Sequence, residues 1–474
     1  MTRLSRCEAA LAAVLLSAAI VAHAQPPSPS SQAAIHYTIS LAHAGDHLVA
    51  VTVDLPAGKS ERELQLPVWN ALYQVRDFSQ YVNSIEATDG KGRPLPLREL
   101  NKSLWRMRGA ESGARVKYEI FANSPGPYGA QLDLSHAFFN LAEILMYSEA
   151  LRACPATLRI IDLPERWKIA TALRSGASEE FEAENYDRLV DSPVEVGLFQ
   201  ESDFEEGGAH YRVVVDADPS DYKMENVVEV ARRVAAGETG WMNDRPFGSF
   251  LFIYHFPRAP GGGGMEHAYS TAIEVNAQLL ADNPLSLADV TAHEFFHLWN
   301  VKRIRPQSLE PVDYTKENYT TALWFSEGLT NTVADYMLVR AGLIDESRFL
   351  TRLGGAITEL EFRPAHLRQS AEESSLDAWL EKYAYYRSPE RSISYYNKGQ
   401  LLGVMLDLTV REASHGTASL RELFQWMNEN YAKAGTFFPD SAGVLHAAEA
   451  VSHANLDWFF AKYVAGTEEI PWDD

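Results

Sequence analysis

The chain has 474 residues, 46% of them hydrophobic and 11% aromatic, which is more than one ordinary domain needs and enough to fill two or three cores. A formal charge of −22 argues against nucleic acid or an anionic lipid surface as partner and mainly favours solubility. Cys7 and Cys154 are the only cysteines, which excludes a disulfide framework.

Residues 1–24 differ in kind from the rest. Arg3 and Arg6 precede an apolar run from Ala9 to Val21, which ends in Ala22-His23-Ala24 before Gln25. This is the form of a cleavable secretory signal, too short and wrongly flanked for a membrane span. No later segment offers the roughly 20 uninterrupted apolar residues of a spanning helix. The mature protein is expected to be exported: periplasmic in a bacterium with an outer membrane, otherwise secreted. Cleavage removes Cys7 and, with two arginines and one glutamate lost, takes the charge to −23. Cys7 precedes the apolar run instead of following it, which argues against a lipid-anchored cysteine. Residues 25–34, with Pro26 to Ser31 at their centre, read as a flexible linker.

From 35 to 180 the pattern is of short strands and turns. His36 to Leu41, His47 to Val53 and Val116 to Phe121 alternate with period two, so an all-β N-terminal domain is expected. Residues 181–320 mix the periods, with strands at Tyr211 to Val215 and Phe250 to Phe256, a helix at Met224 to Ala235, and four glycines from Gly261 to Gly264. Residues 321–474 are helical. Leu401, Leu402, Met405 and Leu408 form one stripe at helical spacing, and Leu420, Leu423, Phe424 and Met427 form another; both read as core.

His293-Glu294-Phe295-Phe296-His297 lies in the middle region. Histidines four apart share a helix face, so both imidazoles reach one ion, and the glutamate beside them is placed to act on water there: the zinc-hydrolase pattern. The helix is expected to start near Ser286, because Pro284 disfavours helix before it and Ser286-x-x-Asp289 has the form of a capping box. A catalytic zinc needs a third protein ligand, and Glu327 in Leu323-Trp324-Phe325-Ser326-Glu327-Gly328-Leu329-Thr330 is the candidate. Asn331, one turn past Glu327, and Asp335, rotated by roughly 80° from it, are alternative acceptors for a ligand imidazole. The remaining histidines, His43 and His47 among them, show no second cluster.

The run from His293 to Pro306, followed by Leu323 to Thr330, resembles the glycyl aminopeptidase family of zinc metallopeptidases, in the thermolysin-like His-Glu-x-x-His group related to aminopeptidase N. Val190-Asp191-Ser192-Pro193, Gly263-Gly264-Met265-Glu266-His267, Tyr395-Tyr396-Asn397-Lys398-Gly399 and Trp458 to Thr467 extend the likeness over most of the mature chain. The resemblance implies a multidomain α+β protein: an N-terminal all-β domain, then a thermolysin-like catalytic domain with a mixed sheet and a mainly helical C-terminal region. It implies one Zn2+ on His293, His297 and Glu327, with Glu294 as general base. Tyr396, in the Tyr-x-Lys-Gly pattern of aminopeptidase N relatives, would donate to the oxyanion, with Tyr395 as the alternative. Glu266 would bind the α-ammonium of a peptide with a free N-terminus, and glycine or alanine would be preferred there.

His267 and Tyr269 are candidates to line the site, with packing as an equal alternative; Arg303 and Arg305 read as loop-holding residues, with pairing to substrate carbonyl or carboxylate groups as the alternative. Two departures are visible. The family commonly carries a PDZ domain after the helical region; none is expected before Asp474, nor any PDZ-mediated partner. Asn70-Ala71-Leu72 stand where Pro-Gly-Ser commonly precedes a tyrosine. An endopeptidase of the same fold, with Glu266 only shaping the cleft, and an inactive peptide-binding protein are the competing readings.

Overall fold

A computed structural model describes residues 34–70, 73–177, 179–283, 286–381 and 388–472. The signal segment, nearly all of the linker, Cys7, Ala71, Leu72 and Pro284 lie outside the described residues.

The period-two segments form strands. Ile35–His43 and Leu48–Leu55 pair antiparallel with Tyr37 opposite Val53 and Ile39 opposite Val51, so one face is buried throughout. They sit inside a seven-stranded sheet, in which Ala156–Ile161 lies parallel to Ile35–His43. Three- and four-stranded sheets complete the domain. Two strands beyond residue 180 belong here as well: Phe181–Ala183 pairs with Ala156–Ile161, and Val194–Gly197 pairs with both Lys168–Thr171 and His136–Phe139.

The following sheet has five strands in the order Gln200–Glu206, Ala209–Asp216, Ser249–His255, Ser270–Val275, Gly262–Glu266. Its middle pairs are parallel and its outer pairs antiparallel. The glycine run therefore supplies an edge strand. Between the second and third strands lies the helix Met224–Met242, longer than its expected end at Ala235 because Glu238, Thr239, Trp241 and Met242 continue the buried face.

The helix Ser286–Phe296 carries the two histidines. Phe295 packs edge-on against Phe250, ring centres 4.9 Å apart, and Phe296 against Trp241 at 5.7 Å. The expected Ser286/Asp289 capping box does not form: Ser286 is already helical, its hydroxyl is buried without a hydrogen-bond partner among the described residues, and Asp289 pairs with Arg352 at 2.8 Å. Among the described residues no helix is long and apolar enough to cross a membrane.

The rest is helical. Leu420, Leu423, Phe424 and Met427 are all buried. In Tyr395–Ala413 the expected stripe is displaced, since Leu408 is 61% exposed and burial continues instead through Leu406 and Val410. This helix crosses the turn Trp324–Leu329, which is π-helical, at two glycines. A Cβ on Gly328 would lie 2.4 Å from Gly399 Cα, and one on Gly399 would lie 2.3 Å from the Trp324 carbonyl oxygen. Contact this close is open only to glycine. Gly399→Ala is accordingly expected to destabilise by about 2 kcal/mol in urea unfolding. Gly355→Ala, in the helix Glu346–Glu361 with open space around it, should be neutral or stabilising by up to about 1 kcal/mol.

Candidate metal centre

His293 and His297 bring their Nε2 atoms to 2.9 Å, and each lies 3.4 Å from Glu327 Oε2. Tetrahedral zinc with bonds of about 2.1 Å would hold its donors roughly 3.4 Å apart, so modest relaxation of the two imidazoles accommodates it. The hydrogen bonds on the far side of each ring strengthen the case. His293 Nδ1 donates to Asn331 Oδ1 at 2.7 Å and His297 Nδ1 to the Asn300 carbonyl at 2.8 Å. Both acceptors fix the proton on Nδ1 and aim the Nε2 lone pairs at each other and at a carboxylate. That arrangement is repulsive until a cation or a proton stands between them.

In the protein alone, a proton has to serve. Burial, then neighbouring His297, lowers the pKa of His293. Burial also opposes charge on His297, yet Glu327, Glu266 and Glu294 raise it to about 10. Burial would raise Glu327, but the two imidazoles hold it well below the ordinary carboxylate range. A divalent cation would displace that proton, the usual coupling of metal binding to proton release.

Glu327 is presented by the π-helical turn, and Asn300 ties this turn to the histidines. The Asn300 amide donates to the carbonyls of Phe325 and Ser326 at 3.0 and 3.2 Å and to Thr330 Oγ1 at 3.0 Å, while its own carbonyl holds His297. Of the two proposed acceptors, Asn331 takes the ligand imidazole. Asp335 is engaged by Arg352 and by Gln400, each at 2.7 Å.

The other sequence candidates gather around the same point. Glu266, Glu294 and His297 present donor atoms within 4.8 Å of one another. Gly264 lies against Glu294: a Cβ there would meet Glu294 Cγ at 2.3 Å. Tyr396 opens onto the cavity, its ring centre 6.0 Å from that of His293. Tyr395 stacks behind it at 4.8 Å, 5% exposed and off the cavity wall. The cavity has a volume of about 410 Å³.

Two family models match this chain, the M61 glycyl aminopeptidase over residues 286–402 and the peptidase M61 N-terminal domain over residues 36–198. The chain belongs to the M61 peptidase family. Among solved structures, an aminopeptidase N family protein from Idiomarina loihiensis is 28% identical with a TM-score of 0.87, over 92% of this chain and 77% of that one. A point mutant of an M1 zinc metallopeptidase from Deinococcus radiodurans, bound to a Tyr-Ser-Ala substrate, shares the fold at 16% identity and a TM-score of 0.56, over 92% and 94% of the two chains. A second structure of an M1 zinc metallopeptidase from that organism gives 15% and 0.55, over 93% and 95%. No curated protein matches by sequence.

In this M61 peptidase the N-terminal domain supplies part of the cavity wall. Tyr73 and Tyr128 line it beside Gly263 and Glu266, and a Cβ on Gly263 would meet the Tyr128 hydroxyl at 2.1 Å. Neither tyrosine was among the sequence candidates; the signal for Tyr73 was the segment that departs from the family pattern just before it. Asn70, in that segment, donates to the Tyr128 carbonyl at 2.9 Å, so this residue bonds a segment of the cavity wall.

Four other expectations resolve as follows. His267 does not line the cavity: it is buried against Asp191, 3.3 Å away, which Lys302 also binds at 2.6 Å. Tyr269 is likewise remote from it, held between the guanidinium groups of Arg188 and Arg303. Arg303 bonds the Leu298 carbonyl and Arg305 pairs with Glu310, both at 2.6 Å, as loop-holding residues would. The expectation of no second histidine cluster fails, since His136 and His255 meet beside Glu195 and Asp216. Because Asn300 links His297 to the turn bearing Glu327, Asn300→Ala is expected to weaken zinc affinity by about 10- to 100-fold in competition titrations with a chromogenic chelator.

Proposed function

We propose that this peptidase is an exported zinc-dependent aminopeptidase that removes small N-terminal residues, glycine and alanine, from peptides. The observation carrying the reading is the convergence of Glu266 and Glu294 on the His293, His297 and Glu327 donor set. Export rests on the character of residues 1–24.

Bound to His293, His297 and Glu327, Zn2+ would supply Lewis acidity and lower the pKa of a water toward about 7. Glu294 takes the proton of the attacking water and returns it to the leaving amine, a role worth about 10² to 10⁴-fold. Burial, reinforced by Glu327, raises the Tyr396 hydroxyl well above its ordinary pKa. It thus stays protonated and donates to the carbonyl oxygen as charge develops there. Among the described residues the edge strand Gly262–Glu266 has a neighbour on one side only, which leaves main-chain groups for an extended peptide beside Glu294.

Glu266 stands at the end of this strand, and its carboxylate pairs with the α-ammonium of the substrate. A free N-terminus is then required, because an acylated one would leave Glu266 unpaired in a partly enclosed cavity. Tyr73 and Tyr128 bound the cavity beside Glu266, which supports a preference for small first residues.

Glycyl and alanyl chromogenic amides, with N-acetylated peptides of matched sequence, test the reading. Cleavage is expected for the free amines only. Glu294→Gln should abolish it, and Tyr396→Phe should lower turnover by about 10² to 10³-fold with zinc retained. Glu266→Gln should raise KM for free amines and narrow the gap to blocked peptides. Equal cleavage of blocked peptides by the unaltered enzyme would reassign it as an endopeptidase.

A further inference from the structure

The N-terminal domain meets the catalytic sheet through an apolar layer of Phe138, Val214, Leu251, Ile253 and Ala272. Two histidines and two carboxylates interrupt it. His136 and Glu195 come from paired antiparallel strands, with His136 opposite Gly197 and Phe138 opposite Glu195, so both leave the same face. Asp216 and His255 close the strands Ala209–Asp216 and Ser249–His255 and are partners in parallel register. Two sheets from two domains thus contribute one imidazole and one carboxylate each.

Three of the donor sets converge, and His255 joins them through Glu195. His136 Nδ1 touches Asp216 Oδ2, Glu195 Oε1 lies 3.9 Å from the same nitrogen, and His255 Nε2 lies 2.8 Å from Glu195 Oε2. His136, Glu195 and Asp216 present donors within 4.8 Å of one another, and the two imidazole centres are 5.8 Å apart. Glu195 is wholly buried. Its Oε1 and the Nε2 of His136 are buried with no hydrogen-bond partner among the described residues. A carboxylate with an idle oxygen inside an apolar layer is costly, and buried charges of this kind persist where they are paired or bind a metal.

We propose that His136, Glu195, Asp216 and His255 bind a second divalent transition-metal cation, which staples the N-terminal domain to the catalytic sheet. Two imidazoles disfavour calcium and magnesium, whereas a mixed nitrogen and oxygen set of four suits zinc. With all four positions filled by protein the site is closed, so the ion is structural and takes no part in peptide cleavage.

Metal analysis of the purified full-length protein, saturated with zinc and then dialysed against metal-free buffer, tests this. Two zinc ions per chain are expected, one in His297→Ala, one in Glu195→Gln, and none in the double variant. Chelation should lower the melting temperature of His297→Ala and added zinc should restore it, independently of any peptidase activity. Crystals measured at the zinc absorption edge should show an anomalous peak between the four side chains, which keeps the test open if Glu195→Gln does not fold. A single ion in the unaltered protein with a metal-free His297→Ala, or no peak at this junction, would overturn the proposal and leave a hydrogen-bonded histidine–carboxylate network.

Discussion

The backbone of the turn bearing Glu327 touches that of the helix bearing Tyr396 at Gly328 and Gly399, and the dimensions of the cleft follow from how near they come. Helix axes carrying ordinary side chains stand 8–10 Å apart; two glycines allow a closer approach. Glu327 and Tyr396 precede the contact on their respective segments, so both enter the cavity from one wall. Thr332 strengthens the crossing by donating to the Gln400 carbonyl at 2.9 Å. Once this wall is set, the helix Ser286–Phe296 needs only to present its histidines against it. Asn331 and Asn300 then fix the ring orientations.

The opposite wall is made by a different device. The edge strand Gly262–Glu266 approaches so closely that Gly264 has no room for a side chain beside Glu294, and Gly263 has none beside Tyr128. Glycine there serves close approach more than flexibility. The outcome is a strongly acidic centre, with Glu266, Glu294 and Glu327 near two imidazoles. Such a field favours a metal cation and an ammonium group together, and it accounts for the raised pKa of His297.

Much of this could be read from the chain because local periodicity carried it. Alternation marked the strands around Ile39 and Val51, and a four-residue spacing put His293 and His297 on one face. Where tertiary partners competed, the local reading failed. Asp289 has the right spacing to cap its helix but is drawn to Arg352 from another helix. Asp335 offers a better acceptor than Asn331, yet Arg352 and Gln400 claim it. Leu408 keeps helical spacing and still faces solvent, because the burying neighbours lie on the side of Leu406 and Val410. His136, Glu195, Asp216 and His255 come from four strands in two sheets, and no spacing along the chain announces such a meeting. Tyr73 and Tyr128 were hidden for the same reason, since they reach the cavity from the other domain.

The π-helical turn Trp324–Leu329 has an evolutionary consequence. A π-turn holds one residue more than the regular helix it interrupts, and its looser hydrogen bonding is locally unfavourable. Removing one residue there would restore an ordinary helix and improve local stability. It would also rotate Glu327 by about 100°, away from both histidines. Selection for a sturdier helix and selection for a working metal centre therefore pull in opposite directions at this turn. Asn300, which bonds two of its carbonyls, offsets part of the difference and makes the irregular form tolerable.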